Sequence, residues 1–300
     1  MRNLDIIFAK MDEAPLLCVS PAELSRSKDG TLKALLSLAD RERVETVLVR
    51  PSPGRRTACV SVQTGCPIGC PFCATGALGP GRCLSPEEMA DQVLFWRRSL
   101  EREAPGERLS NVVFMGMGEP FLNYENLAQC LRMLLDQRLF ALGPRHITVS
   151  TAGLAPQMER FALEFPQVNL ALSLHAANDR LRNRLVPINR AYPLRVLART
   201  IKSAYTDRGR KVFLEYVVMK GVNDSSKDAS ELAAFARSAG AGLLQVNLLR
   251  RNPGGAEADA RRFQRLLQDA GLICTVRGSL GQDIRAACGQ LAARTSPRSP

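Results

Sequence analysis

From the run ACVSVQ at Ala58 almost to the end of the chain, short apolar stretches with strand character alternate with segments whose apolar residues recur at helical spacing. The strand-like runs continue with NVVFMGMGE (from Asn111), HITVSTAG (from His146), NLALSLH (from Asn169), KVFLEYVVMKG (from Lys211), LLQVNLL (from Leu243) and a short ICTVRG (from Ile273). The intervening periodicity predicts helices over 85–100, 126–138, 154–165, 194–205, 226–239 and 259–270. The first of these opens with Ser85 and Glu88, three residues apart, a capping-box start. Repeated βα units with near-continuous apolar strands call for a parallel sheet buried on both faces and curled into a full or partial barrel. In such barrels chemistry collects at the C-terminal strand ends. No repeat of fixed period is visible.

Composition narrows the class. With 300 residues, 45% of them hydrophobic, the chain has enough core for one large domain. Lys and Arg outnumber Asp and Glu by 41 to 29, giving a net charge of +12 and a pI near 9.7, so polyanions and above all nucleic acid are the expected partners. Nine cysteines, an odd number with three in one tight cluster, do not make a disulfide scaffold and point to a reducing, cytoplasmic setting. The opening MRNLDIIFAKMDEAP has no signal-peptide pattern, and no apolar run approaches the ~18 residues of a membrane span.

Within that frame Cys66, Cys70 and Cys73 form a CxxxCxxC triplet directly after a strand-like run. Three closely spaced thiolates can hold three irons of a 4Fe–4S cube and leave the fourth iron open to a small molecule, for this spacing S-adenosylmethionine. The bland alternative is a zinc knot with Cys59 or Cys83 as fourth ligand, although zinc knots are usually built from two equal pairs. VVFMGMGEP ends a strand with Gly118 and Glu119, where small residues let the backbone approach a ligand. A plain glycine turn with a solvated Glu is the competing reading. Ser150, Ser173, His175 and Asn252 occupy equivalent strand ends, and a lone His is more often structural than catalytic. Cys59 and Cys288 lie outside the triplet; on physics alone each reads as a small buried hydrophobe.

The runs ACVSVQTGCPIGCPFCATG, VVFMGMGEPFLNYENL, SLHAANDRLRNRLVPINRAYPL and GQDIRAACGQL, with the lead-in SKDGTLKALLSLADRERVETVLVR, resemble the RlmN/Cfr family of radical SAM RNA methyltransferases. The resemblance extends from about Ser27 to Leu291. It implies an α/β fold, a radical SAM partial (β/α) barrel with short N-terminal and C-terminal extensions. Residues 1–44 would be a short lead-in with the usual accessory domain truncated, 45–291 the barrel core with the C-terminal cysteine segment, and 292–300 a basic disordered tail. The implied roles are Cys66, Cys70 and Cys73 as ligands of one 4Fe–4S cluster, and Gly118, Glu119, Ser150, Ser173, Leu174, His175 and Asn252 as S-adenosylmethionine contacts. Cys288 would carry a methyl group during turnover, Cys59 would resolve the adduct, and Glu45 would be the proton acceptor.

The implied reaction is methylation of an adenine in 23S rRNA, and in tRNA, at carbon 2, with two molecules of S-adenosylmethionine consumed per turnover and a Cys59–Cys288 disulfide formed. An electron donor such as flavodoxin or ferredoxin, no membrane and a monomeric state complete the expectation. A Cfr-like enzyme acting on carbon 8 would use the same cysteines, a radical SAM methylase of another substrate fits the short N-terminus, and a non-catalytic iron–sulfur sensor would have no use for Cys59 and Cys288. Arg250 and Arg251 stand where the family has an apolar–Pro approach to Asn252, Cys83 where Asn is common, and Ala77 where a polar residue is usual.

Overall fold

Ten strands lie side by side in the order in which they occur in the chain. The computed structural model describes residues 18–293. The first four strands, β1 (Val19–Arg26), β2 (Leu32–Leu38), β3 (Arg43–Ser52) and β4 (Arg55–Cys59), pair antiparallel. From β4 onward every pairing is parallel, through β5 (Asn111–Phe114), β6 (Ile147–Thr151), β7 (Asn169–Ser173), β8 (Val212–Val218), β9 (Leu244–Arg250) and β10 (Cys274–Val276). Tight turns explain the antiparallel part: the chain reverses at Gly30 and Gly54, both with positive φ, leaving no room for a crossover helix.

The parallel strands need crossovers, and the helical segments supply them. They are α1 (Ala74–Ala77), α2 (Pro86–Glu103), α3 (Tyr124–Leu135), α4 (Ala155–Glu164), α5 (Asp179–Leu185), α6 (Leu194–Ala204), α7 (Ser226–Ala239) and α8 (Glu257–Asp269). The capping box at Ser85 and Glu88 forms as expected, and Ser225 with Asp228 makes a second at α7. Each longer helix turns an apolar stripe inward. In α2, Phe95 and Trp96 are fully buried, and the Trp96 indole N–H reaches Thr46 Oγ1 of β3 at 3.0 Å, tying the antiparallel apron to the barrel.

All six expected helices are present with ends moved by at most three residues, and the seven strand-like runs all become strands or strand ends. ACVSVQ departs most. Its ladder with β3 stops at Cys59, and Val60 and Val62 bond instead to the carbonyls of Val113 and Met117 beside the emerging cofactor loop. Three strands precede β4 rather than a single lead-in, and β3 runs across the 44/45 boundary. Ala292 is buried and its N–H is bonded, while 294–300, the rest of the expected tail, lies outside the described residues. The opening 1–17 also lies outside them. Among the described residues no helix is long and apolar enough to cross a membrane.

Edge strands β1 and β10 do not pair, so the barrel is partial. A cavity of about 820 Å³ runs along its concave face and is bordered by residues from β3 to β10, the loop after β4 and the C-terminal segment.

Candidate active site

The three triplet cysteines stand on one loop and all border this cavity. Cys66 N–H bonds Gly79 O at 2.8 Å and Cys73 N–H bonds Cys70 O at 3.1 Å, so the loop is folded on itself. Gly76 is required where the chain doubles back, because a Cβ there would lie 2.8 Å from the Cys70 carbonyl oxygen. Ile68, Cys66, Cys70 and Phe72 then pack on a separate small apolar cluster of Ala152, Ala176, Leu185, Val186, Val217 and Met219 at the C-terminal ends of the strands. Burial pushes the Cys66 thiol up to about 11. Cys70 is raised as well, by burial first and then by the charges of Cys73 and Cys66.

Opposite the loop, the β5 end turns through Gly118, whose φ of 98° and close approach to Gln63, 2.6 Å for an added Cβ, exclude any side chain. Glu119 follows, buried and held. Its N–H donates to Gln63 Oε1 at 2.8 Å, its Oε1 accepts from Phe121 N–H at 3.1 Å and its Oε2 from Ala152 N–H at 2.7 Å. Burial raises its carboxyl. Ser150 and Ser173, at the ends of β6 and β7, share a hydroxyl hydrogen bond of 3.2 Å. His175 sits at φ 58°, its ring 4.9 Å edge-on from Phe72, and its Nδ1 accepts Val217 N–H at 3.1 Å. Burial lowers it to about 3, so the imidazole is neutral with its proton on Nε2.

Leu174 is buried in the main core and does not border the cavity; only its backbone is near, with the N–H on Glu215 O at 3.0 Å. Asn252 borders the cavity and donates to Cys288 O at 3.4 Å.

Cys59 and Cys288 face the same cavity, and burial raises both thiols. The Cys59 thiol feels the charge of Cys288, and the Cys288 thiol those of Glu215, Arg277 and Cys73. Cys288 is surrounded by protein, yet its surface opens into the cavity. The segment that carries it is bound to the cofactor loop: Ala74 N–H bonds Gly289 O at 2.8 Å and Thr75 Oγ1 bonds Leu291 O at 2.6 Å. Glu45 is placed differently from the other expected groups. It is buried on β3 outside the cavity lining, with Oε1 2.8 Å from Lys33 Nζ and Oε2 accepting Ala292 N–H at 2.8 Å.

Two residues escaped the sequence reading. Arg182 is fully buried, with Nε on Leu174 O at 3.0 Å, Nη1 on Asn189 Oδ1 at 2.7 Å, and Nη2 on Ala152 O and Ser173 O at 2.6 and 3.1 Å. It joins the ends of β6 and β7 under the cofactor loop. Glu215 is buried on β8 and borders the cavity. A charged residue inside an otherwise apolar strand, as in KVFLEYVV, was the available signal for Glu215. Arg182 lies in an arginine-rich helical stretch and carried none.

The thiols fit the cluster the sequence calls for. Cys66 and Cys73 repel a thiolate at Cys70, partly offset by the Arg182 charge, a repulsion that cationic iron held by the three thiolates would relieve.

Residues 60–233 match the Radical SAM superfamily. The chain is 44% identical over 272 residues to "Dual-specificity RNA methyltransferase RlmN" of Magnetococcus marinus, covering 88% of this chain and 74% of that protein. The chain belongs to the RlmN family of radical SAM enzymes. A probable RlmN of Streptococcus thermophilus is 41% identical over 94% of this chain and 75% of its own. A crystal structure of a radical SAM methyltransferase from Sphaerobacter thermophilus superposes with a TM-score of 0.87 at 44% identity, covering 95% of this chain and 85% of that one. RlmN-family membership brings the use of a 4Fe–4S cluster and S-adenosylmethionine.

Proposed function

We propose that the chain methylates carbon 2 of an adenine in 23S rRNA, and in tRNA, through an S-methyl group on Cys288 and a transient Cys59–Cys288 disulfide. The observation that carries this reading is that Cys59 and Cys288 border the same cavity as Cys66, Cys70 and Cys73, with the Cys288 charge acting on the Cys59 thiol. Carbon 2 of adenine is electrophilic, so polar methyl transfer has no nucleophile to use. Cys66, Cys70 and Cys73 would hold the cluster, which would supply the electron for reductive cleavage of S-adenosylmethionine.

Gly118, Glu119, Ser150, Ser173, His175 and Asn252 line the wall that would bind and orient S-adenosylmethionine. Cys288 takes a methyl and later bridges to the base, and attack by the Cys59 thiolate on the Cys288 sulfur releases the methylated adenine with formation of the disulfide. Glu45 takes a proton from the adduct only once Ala292 withdraws from its carboxylate. In the closed arrangement it anchors the C-terminal segment. The net charge of +12 fits an RNA substrate, and reaching an adenine edge requires an unstacked base. A flavodoxin or ferredoxin as reductant, a monomeric state and a cytoplasmic location belong to the same reading.

The test is anaerobic turnover of the cluster-loaded protein on unmodified rRNA and tRNA, with nucleoside mass spectrometry. Formation of 2-methyladenosine is expected, whereas 8-methyladenosine would reassign the chain to Cfr-like chemistry. Cys59→Ala is expected to accumulate a covalent RNA–protein adduct, and its absence under turnover would sink the two-cysteine scheme.

A further inference from the structure

From the edge of the wall assigned to S-adenosylmethionine, a row of polar groups runs across strands that are otherwise apolar. Register makes the row, because Ser173, Glu215, Asn247 and Thr275 are paired neighbours across β7, β8, β9 and β10. All four border the cavity. Glu215 and Asn247 are buried, where a polar group without a partner is costly. Glu215 Oε1 accepts from Asn247 Nδ2 at 2.8 Å, and Asn247 Oδ1 accepts from Thr275 Oγ1 at 2.9 Å. Among the described residues no protein donor reaches Glu215 Oε2, so the chain of hydrogen bonds ends in one fixed acceptor.

Phe213 lies two residues before Glu215 on the same face of β8 and also borders the cavity. It is half-buried, whereas the rest of β8 is buried. A phenyl face open to a cavity offers a stacking surface to a flat ring. At the rim, Arg250, Arg251 and Arg277 border the cavity at the ends of β9 and β10. Beyond the end of β9, Asn252 donates to Cys288 O at 3.4 Å, which ties the strand that carries Asn247 to the Cys288 segment. Acceptor, ring face and rim cations match the parts of a nucleotide with an amino-bearing base. S-adenosylmethionine has no phosphate and carries a net positive charge, so the arginines favour an RNA nucleotide over the adenosyl group of the cofactor.

We propose that this row is the base-recognition subsite, in which Glu215 Oε2 accepts from the exocyclic amino group of the target adenine while the ring stacks on Phe213. This rests on the reading of the chain as an RNA adenine methyltransferase. Asn247, itself held by Thr275, fixes the carboxylate. A base with a carbonyl oxygen in place of the amino group would set two acceptors against each other, so hypoxanthine and guanine are rejected.

The experiment uses the cluster-loaded full chain and RNA synthesised with adenosine, purine riboside or inosine at the methylated position. Methylation kcat/KM is measured on each, beside equilibrium binding of S-adenosylmethionine. Glu215→Gln keeps the volume and, with its carbonyl oxygen on Asn247, turns an NH2 donor toward the base. Comparing base ratios between the two enzymes cancels the intrinsic reactivity of each base. Wild type is expected to favour adenosine over purine riboside about thirtyfold more strongly than Glu215→Gln does, and the variant to gain on inosine, with S-adenosylmethionine affinity unchanged. Phe213→Leu should lower kcat/KM about tenfold on all three RNAs alike. Equal base ratios in wild type and Glu215→Gln overturn the proposal. So does weakened S-adenosylmethionine binding in Glu215→Gln, which would put the row on the cofactor's own adenine, and an undiminished Phe213→Leu would remove the stacking face. If wild type forms 5′-deoxyadenosine but methylates no adenine in RNA, the methyltransferase reading itself falls and this inference with it.

Discussion

The two walls of the cavity are built on opposite principles. Around the cofactor loop and the ends of β5 to β7, polar groups are sunk and bonded: Glu119 uses both carboxylate oxygens, His175 its acceptor nitrogen, and Arg182 reaches four acceptors. At the ends of β9 and β10 the cationic groups are open. Arg251 and Arg277 are exposed, Arg250 is half-buried, and the Arg250 and Arg251 side chains form no ion pair among the described residues. Under the proposed function the first wall would fix a small cofactor whose position tolerates little error, and the second would offer loose cations to a polyanion, whose attraction is non-directional and spread over many phosphates.

Substitution on either side separates the walls, and the cysteines give the largest effect. Cys70→Ala is expected to remove both 5′-deoxyadenosine and methylated RNA, each by about a thousandfold or more, together with iron content. Cys288→Ala should remove the RNA product to the same extent while iron content stays at the wild-type level. Loss of iron from Cys288→Ala would show that the walls are not separable.

Next comes Arg182→Leu, which strands three strand-end carbonyls and the Asn189 side chain. Its unfolding free energy should fall by about 3 kcal/mol in denaturant titration, and a change below ~1 kcal/mol would remove Arg182 from the framework. His175 gives a pH signature of similar origin. Above its unperturbed value of 6.5 neither state is protonated; between there and about 3 only the unfolded chain takes the proton, so stability falls with falling pH. His175→Gln lacks this dependence. The stability difference between wild type and variant should therefore shrink by about 3 kcal/mol between pH 6.5 and 4.

The smallest effect belongs to the open wall. Changing Arg250 and Arg251 together to Ala should raise the KM for RNA about tenfold and flatten its salt dependence, leaving kcat and S-adenosylmethionine affinity alone. A fall in kcat instead would place these arginines on the chemistry.

The bonded wall was the more legible of the two in the sequence. The triplet, GxGE and SLH announce themselves because their residue types are costly or rare at strand ends, and helical apolar periods located six of the eight α-helices among the described residues. The antiparallel apron was read only as a lead-in because β1 and β2 carry mixed polarity, so their identity depends on the sheet they join. Helix α5 was missed for a related reason: DRLRNRL has few apolar residues, and its fold is decided by Asn178 accepting from Leu181 N–H and by Arg182 turning inward. Glu45 shows the opposite limit. The motif made it a proton acceptor, and only coordinates show its carboxylate occupied by Lys33 and Ala292.

The short helix that follows Cys73 gives its first two residues, Ala74 and Thr75, to the backbone at Gly289 and Leu291. The segment that carries Cys288 and the loop that carries Cys66, Cys70 and Cys73 are thereby joined through their main chains, so that a displacement of either is passed to the other.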